Sequence, residues 1–453
     1  MKFSTLTLGC KVNQFETQAM ENILISNGHI LTKVGEGCDV CIINTCTVTA
    51  ISAGKSRKAI RRLKKLEPNA LIAVCGCLSQ LEPNEIIEIG VDIIGGSGDR
   101  REFVRQIESK TGDGSLSCFR PEQDREPSPV LLIDNPKNRK VFEKLPVGLS
   151  STLSKSNNNI KTKTRASLKI QDGCNNYCAY CVIPYARGRS RSLPLHNIAE
   201  HAKLLNEQGF REIVITGIEI SSYGKDLENK PTLINVLNEV SAAASNTRIR
   251  LGSLDPSLIT EDFCKDMSKI DNICDHFHLS VQSGCDETLK RMGRKYTTSD
   301  VLNAISTLRA FFPNCGITTD LLVGFPGETD EEFEKTQQFI KQAAFSDMHI
   351  FPFSSRPYTK AAKMPNQVKK DVKTKRAKLA SEIALEMSHD FKQSQIGKTL
   401  EVLFERKRDG MWCGYSTNYL EVSVTTKNDI RKNSVANVVM TSVGYGKLSI
   451  VKY

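Results

Sequence analysis

Residues 174–181 read Cys-Asn-Asn-Tyr-Cys-Ala-Tyr-Cys, which sets Cys174, Cys178 and Cys181 in the spacing C-x3-C-x2-C. Three thiolates on so tight a loop ligate three corners of a cubane [4Fe–4S] cluster, and the fourth iron is left without a protein ligand. An open iron chelates a small molecule and turns an electron-transfer centre into a catalytic one. The same loop also reads as a zinc site. Zinc usually closes its shell with a fourth Cys or His at matching spacing. The next histidine, His196, lies fifteen positions on, in a helical stretch. The open cluster is the preferred reading, with zinc as its alternative.

A second set of thiols lies upstream. Cys10 follows the strand-like Ser4–Leu8, Cys46 follows Cys41–Asn44, and Cys77 follows Leu71–Val74. In a parallel α/β sheet the carboxyl ends of the strands share one edge, where ligands bind. These three cysteines are therefore expected to converge as a second three-thiolate site. The plain alternative is ordinary buried cysteines, common in cores. Cys38, Cys41 and Cys75 are read that way, because they precede or lie within the strands. Cys75 competes with Cys77, but the glycine before Cys77 suits a ligand position.

The elements that must position these loops are α/β. Strand-like Phe3–Leu8, Asp39–Asn44, Ala70–Val74 and Val91–Ile94 alternate with helical Gln14–Ser26, Gly54–Leu66 and Arg101–Glu108, which predicts a flavodoxin-like parallel sheet over residues 1–110. Residues 111–164 lose periodicity and fill with Ser, Asn, Pro and Lys, as expected of a linker with at most a short apolar docking piece at Val130–Ile133. A second α/β pattern fills 165–396. Its strand candidates are Ser167–Gln171, Glu212–Thr216, Arg248–Leu251, Phe277–Val281, Thr318–Val323 and Met348–Phe353, followed by a long charged helix at Val368–Gln395. Six βα units make a partial barrel, short of the eight of a closed one. Residues 397–453 switch to period two, with strands at Leu400–Phe404, Trp412–Ser416, Leu420–Val424, Val435–Thr441 and Leu448–Lys452. They predict a small β-barrel of the kind that binds nucleic acid.

Composition narrows the class. The 453 residues include 25% charged and 39% hydrophobic, as in a soluble multidomain protein. No apolar run approaches the roughly 18 residues of a membrane span, and Met1-Lys2-Phe3-Ser4 opens into a strand instead of a secretory signal. Fifteen cysteines without export point to metal or redox use in a reducing cytoplasm. A net charge of +11 favours a polyanionic partner. Seven of the eleven residues in Lys55–Lys65 are basic. Their plain reading is a solvated helix face, and the sharper one is phosphate tracking. Arg187, Arg189 and Arg191, just after the cysteine loop, are expected to meet a substrate phosphate or a small-molecule carboxylate. Tyr177, Tyr180 and Tyr185 could stack on a base, with packing as the default.

The string Gly173-Cys174-Asn175-Asn176-Tyr177-Cys178-Ala179-Tyr180-Cys181-Val182-Ile183-Pro184-Tyr185-Ala186-Arg187-Gly188 resembles the radical S-adenosylmethionine (SAM) enzymes, in particular their methylthiotransferase branch. Leu8-Gly9-Cys10-Lys11-Val12-Asn13-Gln14, Asn44-Thr45-Cys46-Thr47-Val48 and Gly76-Cys77-Leu78-Ser79-Gln80 are similar to that family's N-terminal ligand motifs. The resemblance implies two [4Fe–4S] clusters, on Cys174, Cys178 and Cys181 and on Cys10, Cys46 and Cys77. The first would generate a 5′-deoxyadenosyl radical from SAM, and the second would supply or carry sulfur. It also implies SAM contacts at Thr216, Gly217 and Glu219, at Gln282 or Ser283, and at Gly324 and Glu328. Each of these strings also reads as a plain strand-end turn. The C-terminal β-barrel resembles the family's RNA-binding TRAM domain.

Within the family, Gly9–Gln14 and Thr164–Gln171 look most like the branch acting on N6-threonylcarbamoyladenosine beside the tRNA anticodon. The implied partners are a tRNA anticodon stem-loop, an external electron donor of flavodoxin or ferredoxin type, and a sulfur source. Alternatives are the isopentenyladenosine branch, the branch that modifies a ribosomal-protein aspartate, and a noncatalytic iron–sulfur RNA-binding or electron-transfer protein.

Overall fold

A computed structural model describes residues 1–112, 129–148, 164–425 and 430–448. Strands are numbered in chain order. The N-terminal sheet comprises β1 (Lys2–Thr7), β2 (Ile30–Leu31), β3 (Val40–Thr45), β4 (Leu71–Gly76), β5 (Ile93–Gly95) and β6 (Val130–Leu132), in the order β2-β1-β3-β4-β5-β6. All neighbours are parallel. The central strand β3 is buried along its whole length, because helices cover both faces. Val40 and Ile42 pack with Met20, Leu24, Phe103 and Ile107 on one side, while Cys41 and Ile43 pack with Ala53, Ile60 and Leu63 on the other. That alternation is the period of two of an extended chain.

Two helices start earlier than their patterns suggest. Lys11–Ser26 begins directly after Cys10, and Ala50–Leu66 begins after Thr49, whose hydroxyl accepts from the Ser52 N–H. The segment read as a linker also carries structure. Its apolar piece becomes β6, paired Ile93 to Val130, and Leu145 and Val147 are buried against the central domain. Its stretches 113–128 and 149–163 lie outside the described residues.

The central domain bends six parallel strand positions into an open arc. β7 (Arg165–Lys169), β10 (Glu212–Thr216) and β11 (Arg248–Leu251) pair in one sheet, and β12 (Ser253–Leu254), β13 (His276–Gln282), β14 (Gly316–Val323) and β15 (Asp347–Pro352) in the next. Gly252, between β11 and β12, donates its N–H to Ile215 O at 2.9 Å, so one chain segment passes from the first sheet to the second. The expected strand Ser167–Gln171 is split at Ile170. Beyond it β8 (Gln171–Asp172) pairs antiparallel with β9 (Arg191–Ser192), a ribbon that ties both ends of the cysteine loop together. The long helix is Lys370–Gln393. Among the described residues no helix is long and apolar enough to cross a membrane.

The C-terminal strands β16 (Thr399–Arg408), β17 (Met411–Ser416), β18 (Glu421–Val424), β19 (Val435–Ser442) and β20 (Tyr445–Leu448) close into a barrel. The last strand begins three residues before the expected Leu448, because Val443-Gly444 makes a two-residue hairpin turn with Gly444 at φ +78°. The rest of the expected strand, residues 449–452, lies outside the described residues. The barrel docks at the amino ends of the central strands. Arg250 donates to Thr417 O at 2.8 Å, and His276 stacks on Tyr419 with ring centroids 4.5 Å apart.

Candidate iron–sulfur and SAM site

Cys10, Cys46 and Cys77 lie just past the carboxyl ends of β1, β3 and β4. Two glycines make their approach possible. Gly9 has φ +104°, and a Cβ there would fall 2.7 Å from Cys46 Cβ; Gly76 has φ +109°, and its Cβ would fall 2.4 Å from Thr45 O. Both conformations belong to glycine, and both positions are too crowded for any side chain. Cys10 is exposed and opens the helix Lys11–Ser26, whereas Cys46 and Cys77 are buried. Burial pushes the Cys77 thiol up to about 12, with Cys46 and Cys10 adding to the rise. Burial likewise raises Cys46. Of the cysteines read as ordinary core residues, Cys41 and Cys75 are buried. Cys38 is only half-buried, its Sγ 3.4 Å from that of Cys41.

Cys174, Cys178 and Cys181 follow the carboxyl end of β8 and are all half-buried. Burial pushes Cys174 up to about 11 and Cys181 up to about 12, and each thiol also feels Cys178. Such thiols are protonated at neutral pH, so metal binding would release protons. Among the described residues no three His, Cys, Asp or Glu side chains close on a single metal ion. By the chemistry of its donors, a soft set of three thiols suits iron–sulfur ligation.

A cleft of about 250 Å³ opens beside Cys178, lined by Asn176, Glu219, Ser221, Asp255, Arg294 and Lys295 among others. Asn176 donates to Glu219 Oε2 at 2.9 Å. Burial raises the Glu219 carboxyl, and Asp255 raises it further. Arg294 donates to Cys178 Sγ at 3.4 Å, to Asp255 Oδ2 at 3.1 Å and to Ser280 O at 2.9 Å.

The sequence-derived site residues divide on this geometry. Glu219 reaches the cleft. Thr216 is buried at the end of β10, and the N–H groups of Ile218 and Glu219, after Gly217, donate to Gln171 Oε1 at 3.0 and 2.8 Å. Gln282 takes φ +73° at the end of β13, and the buried Ser283 hydroxyl accepts from Cys285 N at 3.3 Å. Glu328 does not line the cleft. It accepts from Gly324 N and from Arg376 of the long helix, both at 2.8 Å. That turn fastens the helix, and neither residue lines the cleft. Arg187 and Arg191 depart from expectation as well. Both are buried against carboxylates and unavailable to a phosphate, while Arg189 is exposed. Tyr180 is half-buried against the cluster of Ala179, Met292 and Phe325, and Tyr177 meets Tyr185 edge-on at 5.8 Å.

Asp255, Arg294 and Lys295 were not singled out from sequence. The available signal was Gly293, left-handed at the end of the helix Asp286–Met292 and followed at once by two cations. On the basic helix, Arg57 pairs with Glu85 at 2.8 Å and Lys64 with Ile89 O, whereas Lys58, Arg61, Arg62 and Lys65 are exposed on one face.

A partial parallel barrel whose first strand feeds a three-cysteine loop defines a radical SAM protein. The model of the Radical SAM superfamily matches residues 168–340, and that of the Uncharacterized protein family UPF0004 matches residues 2–96. The chain is 35% identical over 446 residues, 97% of its length and 93% of the relative's, to the threonylcarbamoyladenosine tRNA methylthiotransferase MtaB of Bacillus subtilis (strain 168). It is 34% identical over 412 residues to the tRNA-2-methylthio-N(6)-dimethylallyladenosine synthase of Clostridium botulinum (strain Loch Maree / Type A3), covering 89% of this chain and 86% of that one. The fold is shared with the radical S-adenosylmethionine methyltransferase TsrM from Kitasatospora setae, at TM-score 0.55 and 15% identity over 91% of this chain and 80% of that one. The chain belongs to the radical SAM methylthiotransferase family.

Proposed function

We propose that this chain is a tRNA methylthiotransferase that converts N6-threonylcarbamoyladenosine, beside the anticodon, to its 2-methylthio derivative. The observation that carries the reading is the pair of three-thiol sets, one at three strand ends of the N-terminal domain and one on a single loop of the central domain that contacts it. The 35% identity to the Bacillus subtilis threonylcarbamoyladenosine enzyme supports the choice of substrate. Overall, the adenine C2–H bond is replaced by C2–S–CH3. SAM is consumed twice, once as radical source and once as methyl donor.

Cys174, Cys178 and Cys181 would hold one [4Fe–4S] cluster, and Cys10, Cys46 and Cys77 a second. When bound, the clusters supply the electron that cleaves SAM and a soft surface for sulfur. The chain's own residues bind and orient. Glu219 and Asp255 offer carboxylates to an ammonium and to ribose hydroxyls, and a cation bound there would reverse the upward shift of Glu219. Arg294 and Lys295 offer donors to a carboxylate. Asn176 holds the Glu219 carboxylate in place. The target base must be splayed from its loop to reach the cleft beside Cys178. An external donor of flavodoxin or ferredoxin type and a sulfur source complete the reaction.

The test is anaerobic reconstitution with iron, sulfide, dithionite and SAM, using tRNA that carries threonylcarbamoyladenosine. The expected products are 5′-deoxyadenosine and the methylthio nucleoside; no 5′-deoxyadenosine would overturn the enzyme reading. The 34% identity to the Clostridium botulinum enzyme favours a second substrate, dimethylallyladenosine. The same assay with tRNA carrying that base decides between them.

A further inference from the structure

The two three-thiol sets belong to different domains, yet one buried side chain touches the frame of both. Asn13 is 1% exposed. Its amide nitrogen donates to Leu8 O at 2.8 Å and to Thr45 O at 3.0 Å, in the segments that lead into Cys10 and Cys46. Its amide oxygen accepts from Arg187 Nη2 at 2.8 Å, and Arg187 ends the short helix that follows Cys181. Arg187 is fully buried and is held from both domains. Its Nη1 lies 2.7 Å from Glu16 on the N-terminal side and 3.1 Å from Asp172, just upstream of Cys174.

The surrounding charges continue the pattern. Glu16 also takes Arg100 and Lys169, each at 2.8 Å, and Asp172 takes Lys169 at 2.8 Å and Arg191 at 3.5 Å. No side chain in this network is more than 9% exposed. Burying so many charges is poor value for stability alone, since apolar residues of like volume often serve as well. The network does what an apolar contact does not: it fixes direction and register between two bodies that would by default move relative to each other.

We propose that Asn13 and Arg187 are positioning residues that register the Cys10, Cys46 and Cys77 loops against the Cys174, Cys178 and Cys181 loop. This rests on reading both loops as cluster sites. Sulfur held at one site must meet a carbon activated at the other, so the distance and angle across the interface set how often activation ends in product. Asn13 clamps the carbonyls before Cys10 and Cys46, and Arg187 carries that frame to the radical site.

The experiment uses the full chain, reconstituted with iron and sulfide, as wild type, Asn13→Ala, Arg187→Lys and the double variant. Arg187→Lys keeps a charge for Glu16 and Asp172 but loses the planar fork that reaches Asn13. The readouts are iron content, methylthio nucleoside formed per 5′-deoxyadenosine, and the EPR spin coupling between the two reduced clusters. Each single variant is expected to hold about eight irons and still form 5′-deoxyadenosine. Product per 5′-deoxyadenosine should fall about ten- to a hundred-fold, the loss that goes with a misplacement of about 1 Å, and the spin coupling should change. The double variant should be no worse than the worse single one, because both remove one shared contact.

Wild-type ratio and coupling in both single variants would overturn the proposal. So would losses that add in the double variant, or loss of iron from a single variant, since the residue then builds one site instead of registering two. Only about four irons in the wild type would instead overturn the two-cluster reading.

Discussion

The docking of the C-terminal β-barrel turns on one buried carboxylate. Glu212 opens β10 with no exposed surface and receives Arg248 at 2.6 Å and Arg250 at 2.8 and 3.0 Å. The same guanidiniums reach the carbonyls of Glu401 and Tyr415, both at 3.3 Å, Ser416 at 3.1 Å and Thr417 at 2.8 Å. Removing the carboxylate therefore frees two arginines that grip the barrel. Burial opposes the Glu212 charge, but Arg250 and Arg248 outweigh it and lower its carboxyl from 4.5 to about 2. That fall, at about 1.4 kcal/mol for each factor of ten, gives about 3–4 kcal/mol of stabilisation. The shift is downward, so this stabilisation is fully present above pH 4.5 and is lost as pH falls through about 2. Glu212→Gln should cost about 3–5 kcal/mol, the usual price of stranding buried charges. Hydrogen exchange of the full chain at pH 7 should show faster exchange in β16, β17 and β19, with the N-terminal sheet unchanged. The wild-type advantage should stay constant from pH 5 to pH 8. Equal exchange in the two proteins, or an advantage that grows across that range, would refute the reasoning.

Three further outcomes follow from the sites. Replacing Cys10, Cys46 and Cys77 together by Ala should lower iron from about eight to about four per chain, with 5′-deoxyadenosine still formed and no methylthio product; retained auxiliary-cluster spectra would count against the assignment. Arg294→Met removes a cationic donor 3.4 Å from Cys178 Sγ. It should lower the potential of the radical-site cluster by about 60 mV, equivalent to about 1.4 kcal/mol, in an EPR-monitored redox titration; an unchanged or raised potential would contradict it. Changing Lys58, Arg61, Arg62 and Lys65 to Glu should weaken tRNA binding and flatten the slope of log affinity against log salt by about 3. An unchanged slope would leave that face merely solvated.

Much of the scaffold is legible in the chain because it is local. The runs that become β1, β3 and β4 end where a glycine or a polar residue breaks them, so Cys10, Cys46 and Cys77 are readable as strand-end thiols. The loop from Cys174 to Cys181 is readable from its spacing alone. Asn13, Glu16 and Arg187 are not, because polar residues on a helix read as solvated, and a basic residue after the cysteine loop reads as a phosphate or carboxylate contact, until two domains close over them. Asp255 and Arg294 come from the ends of different βα units, and it is the pairing of β12 with β13 that brings those ends together. Glu328 carries a contact the sequence hid: its carboxylate pairs with Arg376, some fifty positions downstream. The β20 boundary slipped because a two-residue turn at Val443-Gly444 has little sequence signature without a polar first residue.

Nucleoside mass spectrometry of tRNA from cells lacking this protein tests the central claim most directly. The account predicts loss of 2-methylthio-N6-threonylcarbamoyladenosine, with its unthiolated precursor accumulating and methylthio-isopentenyladenosine intact. Loss of methylthio-isopentenyladenosine instead, or no change in either nucleoside, would contradict it.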